Sequence, residues 1–292
     1  MRFVTMSAGQ LGAVVDDTLV DLPAAAQQLG QPIVADMMAL IASAATDQQW
    51  RLALDAVAKG IACSAYSDSA IRAPLQPVRN IICIGKNYLE HITEVADKMR
   101  LPDDIPEHPI VFTKATTAIN HPGAEIPSHP EHTSKLDYEG ELALVIGKGG
   151  RDIAPENAWD HVFGYSALND VSARDLQLAH SQWFIGKSLD GFAPFGPAIV
   201  PLCAMPEPAD IQVQTRVNGE LRQDGRFNQL IFDVPTLIST VSAGITLLPG
   251  DIIATGTPSG VGIGFTPSKY LRPGDEVVVD VTGVGSLRNT VS

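Results

Sequence analysis

Apolar positions change their spacing along this chain, and the changes mark out its parts. Residues 1–72 open with two short apolar segments, Phe3 to Met6 and Leu11 to Val15, that predict strands. An alanine-rich stretch follows, with helical spacing around Trp50 to Val57. In IRAPLQPVRN, Pro74 and Pro77 exclude a continuing helix, so an extended linker is expected between a small N-terminal domain, 1–72, and the remainder, 73–292. After it, many short strand patterns alternate with Gly, Pro and Asn turns, with helical spacing near 155–160, 172–180 and 234–243. This is a β-rich α+β pattern. No internal repeat or low-complexity tract interrupts it.

The strand pattern also carries chemistry. In DYEGELALVIG the run Leu142 to Ile146 reads as strand, and a period of two puts Glu139 and Glu141 on one face. Two hard oxygen donors then converge, which suits Mg²⁺, Mn²⁺ or Ca²⁺ better than zinc. Asp170 follows the apolar run Val162 to Leu168, and Arg174 and Gln177 fall four and seven residues later, on the same face if the segment is helical. The plainer alternatives are a solvated Glu pair on a strand and a capped helix with an ordinary ion pair. Three carboxylates against a divalent ion leave one negative charge, which Lys187 in FIGKSLDG could cancel. His91 and Glu94 in YLEHITE stand one helical turn apart, so the carboxylate can orient the imidazole toward a water-activating role; the alternative is an incidental pair on an exposed helix. The charged, proline-broken stretch from Ala96 to Pro109 is expected to be a mobile lid.

These motifs, together with IGKNYLEHITE and TGTPSGVGIG, resemble the fumarylacetoacetate hydrolase family from about Ile81 to the C-terminus, in family order. The resemblance implies a compact β-sandwich or roll over 81–292, usually found in homodimers. It implies Glu139, Glu141 and Asp170 as ligands of Mg²⁺ (or Mn²⁺), Lys187 as the catalytic lysine, and Arg174, Gln177 and Thr257 beside the substrate. The acylpyruvate-hydrolase-like branch, which carries a His–Glu dyad at the position of His91 and Glu94, fits better than fumarylacetoacetase proper, whose further carboxylate ligand has no match here. Where relatives have Lys-Pro, this chain has Lys114 followed by Ala115.

Composition narrows the class. A net charge of −13 argues against nucleic acid and anionic membranes as partners. No apolar run approaches the roughly 20 residues that span a bilayer, and the N-terminus lacks a signal-peptide core, so a cytoplasmic protein is expected. Cys63, Cys83 and Cys203 form no motif and are expected to be reduced and buried. His129 and His132 flank Pro130 and are read as a turn, and GKGGRD as a hairpin turn. TGTPSGVG lacks the phosphate-loop order, but its Thr255 and Thr257 hydroxyls and backbone N–H groups could hold a carboxylate. With no G-x-S-x-G, a serine hydrolase is disfavoured. The expectation is a metal-dependent C–C hydrolase of a 2,4-dioxo acid, releasing pyruvate, with His91 activating water. The alternatives are a decarboxylase or tautomerase of an oxo acid such as oxaloacetate and, more distantly, a non-catalytic metal-binding protein.

Overall fold

The computed structural model describes residues 1–43, 45–99 and 105–292. Its centre is the strand Gly140–Ile146, buried along its whole length. Such a strand must be apolar on both faces, and its alternation sorts side chains between two cores. Leu142, Leu144 and Ile146 enter one cluster with Tyr165, Val213, Leu237 and Val279. Ala143 and Val145 enter the other, with Phe3, Leu52, Leu168, Phe195 and Ile252.

The strand lies between Val162–Asn169 and Ile252–Ala254, antiparallel to both. Among the described residues the sheet has twelve strands, running from Cys63–Ala65 at one edge to Ile81–Gly85 and Ile110–Lys114 at the other. A second sheet of five strands is built on Gln212–Val217, Glu276–Val281 and Gly285–Val291, whose buried residues help form the first cluster. The helix Val234–Ser242, capped by Asp233 on the Thr236 N–H, adds Leu237 and Ile238 to it. With a two-stranded pairing of Leu136–Asp137 and Ser172–Ala173 beside them, these sheets make a strand-rich α+β architecture that agrees with the fold class expected above.

Several local expectations are changed by tertiary contacts. The strand Phe3–Met6 pairs Phe3 with Ile199 of Ala193–Pro201, so the main sheet passes through the first 72 residues and the rest alike. Ile71 and Arg72 pair with the same strand, and Ala73, Pro74, Leu75 and Pro77 are buried, so the prolines lie in a packed strap. The segment near 155–160 is a 3-10 helix, Pro155–His161, and GKGGRD opens the long connection that contains it, Gly150 bridging to Leu247, in place of a tight hairpin. Cys83 is buried, but Cys63 and Cys203 are exposed, correcting the expectation for those two: they sit on an edge strand and in a short surface helix. No helix among the described residues is long and apolar enough to cross a membrane.

Phe3 joins the N-terminal strands to the larger core, with its ring edge-on to Trp50 at 6.0 Å. Phe3→Ala should destabilise the protein by about 3–5 kcal/mol. Because one sheet and one core include both regions, urea unfolding followed by circular dichroism and by tryptophan fluorescence should give coincident single transitions, shifted together in the variant. A variant curve in which only an early minor step moves would show the N-terminal strands folding separately.

Candidate active site

The site forms where the central strand ends. Glu139 and Glu141 flank Gly140, and glycine is required there because a Cβ would lie 2.1 Å from the buried Thr215 hydroxyl of the second sheet. The neighbouring strand ends at Asn169, whose side chain accepts from the Glu139 N–H at 3.1 Å, and the Asp170 N–H donates to the Glu139 carbonyl at 2.8 Å. Two adjacent strand ends thus aim three buried acids at one point. Each of Glu139, Glu141 and Asp170 offers an oxygen within 4.8 Å of the others. Opposite ligands of an ion bound at about 2.0–2.1 Å lie roughly 4 Å apart, so small side-chain shifts complete a hard-cation site.

Cations enclose this group. Lys187 Nζ donates to Glu139 Oε2 and Asp170 Oδ2, both at 2.8 Å. Lys114 Nζ donates to the other Asp170 oxygen at 2.5 Å and to the Val171 carbonyl at 3.0 Å. Arg174 donates to Glu139 Oε1 at 2.7 Å, to Asp137 at 2.8 Å and to Gln177 at 3.0 Å, and its Nη2 has no hydrogen-bond partner among the described residues. Asp137, also buried, accepts from the N–H groups of Gly262 and Ile263 at 2.7 and 3.0 Å, tying the 255–264 loop to the site.

Burial raises the Glu139 carboxyl, but Lys187 and Arg174 outweigh it and hold the group well below the usual carboxylate range. Glu141 goes the other way. Burial, then the charges of Asp170 and Glu139, push it well above that range, opposed by the Gly256 N–H at 2.8 Å. Burial opposes charge on Lys187, yet Asp170 and Glu139 keep its value raised, whereas burial prevails at Lys114 and lowers it. Asp137, Glu139, Glu141 and Asp170 against the three cations bonded to them, Lys114, Arg174 and Lys187, leave one net negative charge in this bonded group, beside which Lys86 is also buried on the cavity wall. Of these four acids, Glu141 is the one that makes no ion pair with Lys114, Arg174 or Lys187. The donor set therefore fits a hard divalent metal.

The helix Leu89–Met99 covers this group, with His91 buried and Glu94 behind it, His91 Nδ1 to Glu94 Oε2 being 3.4 Å. His91, Glu139, Glu141, Arg174, Gln177, Lys187 and Thr257 line one cavity of about 30 Å³, closed by Phe112 and Trp183. That is room for roughly two waters.

Asp170 does not share a helical face with Arg174 and Gln177: it lies in the turn after its strand, and the helix begins at Arg174, so it meets lysines rather than Arg174. The Thr255 and Thr257 hydroxyls are committed to the Leu142 and Gly140 carbonyls at 2.8 and 2.9 Å, and the carboxylate held by this loop is the chain's own Glu141, through the Gly256 N–H. His129 and His132 form a turn, with the His132 N–H donating to the His129 carbonyl at 2.9 Å. Of the stretch expected as a mobile lid, Ala96 to Met99 is helix, and residues 100–104 lie outside the described residues. Sequence reasoning missed Asp137 as a member of the site, and it noted Lys114 only as standing where relatives have Lys-Pro, without its bond to Asp170.

Comparison with known proteins follows the same boundaries. Residues 80–292 match the family model described as fumarylacetoacetate (FAA) hydrolase, C-terminal. The chain is 54% identical over 226 residues to oxaloacetate tautomerase YisK of Bacillus subtilis strain 168, covering 77% of this chain and 74% of that protein. Among solved structures, a fumarylacetoacetate hydrolase from Exiguobacterium antarcticum aligns with a TM-score of 0.82 at 41% identity, over 100% of this chain and 99% of that one. A maleylpyruvate hydrolase from Sphingobium sp. SYK-6, in complex with manganese(II) ion and pyruvate, aligns with a TM-score of 0.75 at 30% identity, over 100% and 98%. The matched span covers more than half of the chain, and the chain belongs to the fumarylacetoacetate hydrolase family.

Proposed function

We propose that this protein interconverts the keto and enol forms of a short 2-oxo dicarboxylate of the oxaloacetate type, in a reaction dependent on a hard divalent cation, Mg²⁺ or Mn²⁺. The observation that carries this reading is a base paired with a carboxylate above a buried acidic triad, in a small enclosed cavity whose wall presents an unused guanidinium donor. The likeness to an oxaloacetate tautomerase supports it. So does the likeness to a structure holding manganese and pyruvate.

A cation held by Glu139, Glu141 and Asp170 would supply Lewis-acid polarisation of a carbonyl oxygen. With Glu94 accepting from Nδ1–H, His91 keeps the lone pair on Nε2 and can take a proton from the carbon between the two carbonyl-bearing carbons. The same proton, delivered to the 2-oxo oxygen, completes the enol, so no water is consumed. Lys187 offers positive charge where oxygen becomes negative, and the raised value noted above keeps it protonated. Arg174 lines the cavity and its Nη2 is a buried donor without a partner among the described residues, so a substrate carboxylate bonded there would relieve that cost.

A second reading, hydrolysis of an acylpyruvate, rests on the same dyad, since His91 could equally deprotonate water, and on the likeness to maleylpyruvate hydrolase. Decarboxylation would use the same groups. The test is to follow enol absorbance of oxaloacetate with added Mg²⁺ while assaying pyruvate and carbon dioxide. The tautomerase reading expects faster equilibration, abolished by chelation, without matching pyruvate. Uncatalysed equilibration combined with stoichiometric pyruvate from an acylpyruvate panel would replace it with the hydrolase reading.

His91→Ala should lower the tautomerisation rate by about 10²–10⁴ while leaving Mg²⁺ affinity unchanged, because His91 moves a proton and does not ligate. Calorimetric metal titration beside the rate assay checks both parts, and a parent-like rate would remove His91 from the mechanism.

The metal-free protein should also become less stable as pH rises. A carboxyl whose folded value lies above its unfolded one, near 4.5 for Glu141, keeps its proton in the folded state alone over the interval between them. The folded state then binds more protons than the unfolded chain, and stability falls with pH. Glu139, shifted the opposite way, gives its stabilisation in full above the same 4.5. Urea midpoints of chelated protein should therefore decline as pH rises above 4.5, and saturating Mg²⁺ should remove the decline. A flat profile without metal would exclude the uncompensated Glu141.

A further inference from the structure

The covering helix is fastened along one edge. Glu90, Glu94 and Lys98 stand a turn apart on the helix and meet one segment: the Ser259 hydroxyl donates to Glu90 at 3.2 Å, the Gly260 N–H donates to both Glu94 oxygens at 2.9 and 3.0 Å, and Lys98 donates to the Thr266 hydroxyl at 3.2 Å. Val95 packs beside this edge with Val261 and Ile263. The middle contact has chemical weight because Glu94 is also the partner of His91.

Gly260 has little freedom. Its φ is +106°, and a Cβ would lie 1.8 Å from the Arg222 carbonyl, so nothing larger fits. Its own carbonyl accepts the Tyr138 hydroxyl at 2.7 Å, and that hydroxyl lies 3.4 Å from Arg222 Nη1. Tyr138 is fully buried and directly precedes Glu139. One residue of the loop is thus bonded through its carbonyl to the acid-bearing segment and through its N–H to the dyad.

We propose that Tyr138, acting through the backbone of Gly260, is a positioning residue for Glu94, and so ties the orientation of the His91 imidazole to the segment that carries the metal ligands. The proposal rests on the acid–base role given to His91 and Glu94 above. Tyr138 touches no reacting atom. Its hydroxyl fixes the loop whose N–H fixes the carboxylate, and the carboxylate fixes the ring. Loss of the hydroxyl frees the loop to shift, which lengthens the Glu94 contact and misaims the base.

The test is a double-mutant cycle in the full-length, Mg²⁺-loaded protein, with Tyr138→Phe made in the parent and in Glu94→Ala. In the parent, kcat for oxaloacetate tautomerisation should fall roughly threefold to tenfold, the range of one hydrogen bond, with KM and Mg²⁺ affinity within about twofold. In Glu94→Ala the same change should have no further effect. Hydrogen exchange over residues 89–98, which needs no substrate, should follow the same pattern: faster in Tyr138→Phe, with no additional increase on the Glu94→Ala background. Glu94→Gln, which keeps an oxygen for the Gly260 N–H, should exchange like the parent. Equal losses in both backgrounds, an unchanged exchange rate in Tyr138→Phe, or equal exchange in the Gln and Ala variants would each overturn the proposal. Absence of tautomerisation in the parent, with the exchange pattern intact, would instead overturn the functional reading and leave the positioning in place.

Discussion

The arrangement of this protein turns on the burial of unequal charge. Four acids and three cations occupy a space nearly free of water, where an unpaired charge costs several kcal/mol. Each cation is already bonded to at least one acid, so no side-chain rotation within the group can neutralise Glu141 as well. Either a proton or a metal must. With a divalent ion the group becomes net positive by one, and an anionic oxo acid then meets attraction instead of the repulsion that three carboxylates alone would present. On the proposed function the lysines would therefore serve the electrostatics of substrate entry as well as the chemistry.

The fold supplies this charge pattern through ordinary means. Strand alternation carries Ala143 and Val145 into a core and, by the same parity, brings Glu141 and Glu139 to the strand end facing the site. The loop after Ile252–Ala254 fastens that end at two further points, the Thr255 hydroxyl on Leu142 and the Thr257 hydroxyl on Gly140, while Gln223 of the second sheet donates to Thr257 and accepts from the Gly140 N–H. Both sheets hold the backbone from which Glu139 and Glu141 project, and this rigidity preserves a geometry that long acidic side chains would not keep alone.

Much of this was legible in the sequence because it is local. The spacing Glu-x-Glu, the interval from His91 to Glu94 and the β-branched run after Glu141 each lie within one element, and periodicity reads such intervals directly. The partner of Lys114 was not legible. Lys114 lies 56 residues from the Asp170 it bonds, and only the pairing of Ile110–Lys114 with Ile81–Gly85 brings it near. Asp170 illustrates the opposite error: its spacing to Arg174 suited a helix, but the backbone bond from Asp170 N–H to the Glu139 carbonyl keeps it in a turn. Thr255 and Thr257 read as donors to a ligand because sequence does not reveal which hydroxyls a neighbouring strand will use.

The pairing of Phe3 with Ile199 has a practical consequence for anyone trimming this protein. The family match begins at residue 80, which invites removal of everything before it. Such a fragment would lose the strand beside Ala193–Pro201 and uncover part of a row of backbone hydrogen-bonding groups together with Phe195 and Ile199, now fully buried. An open, apolar strand edge is a template for joining other chains. The N-terminal strands thus cover an edge that the matched span alone would leave open.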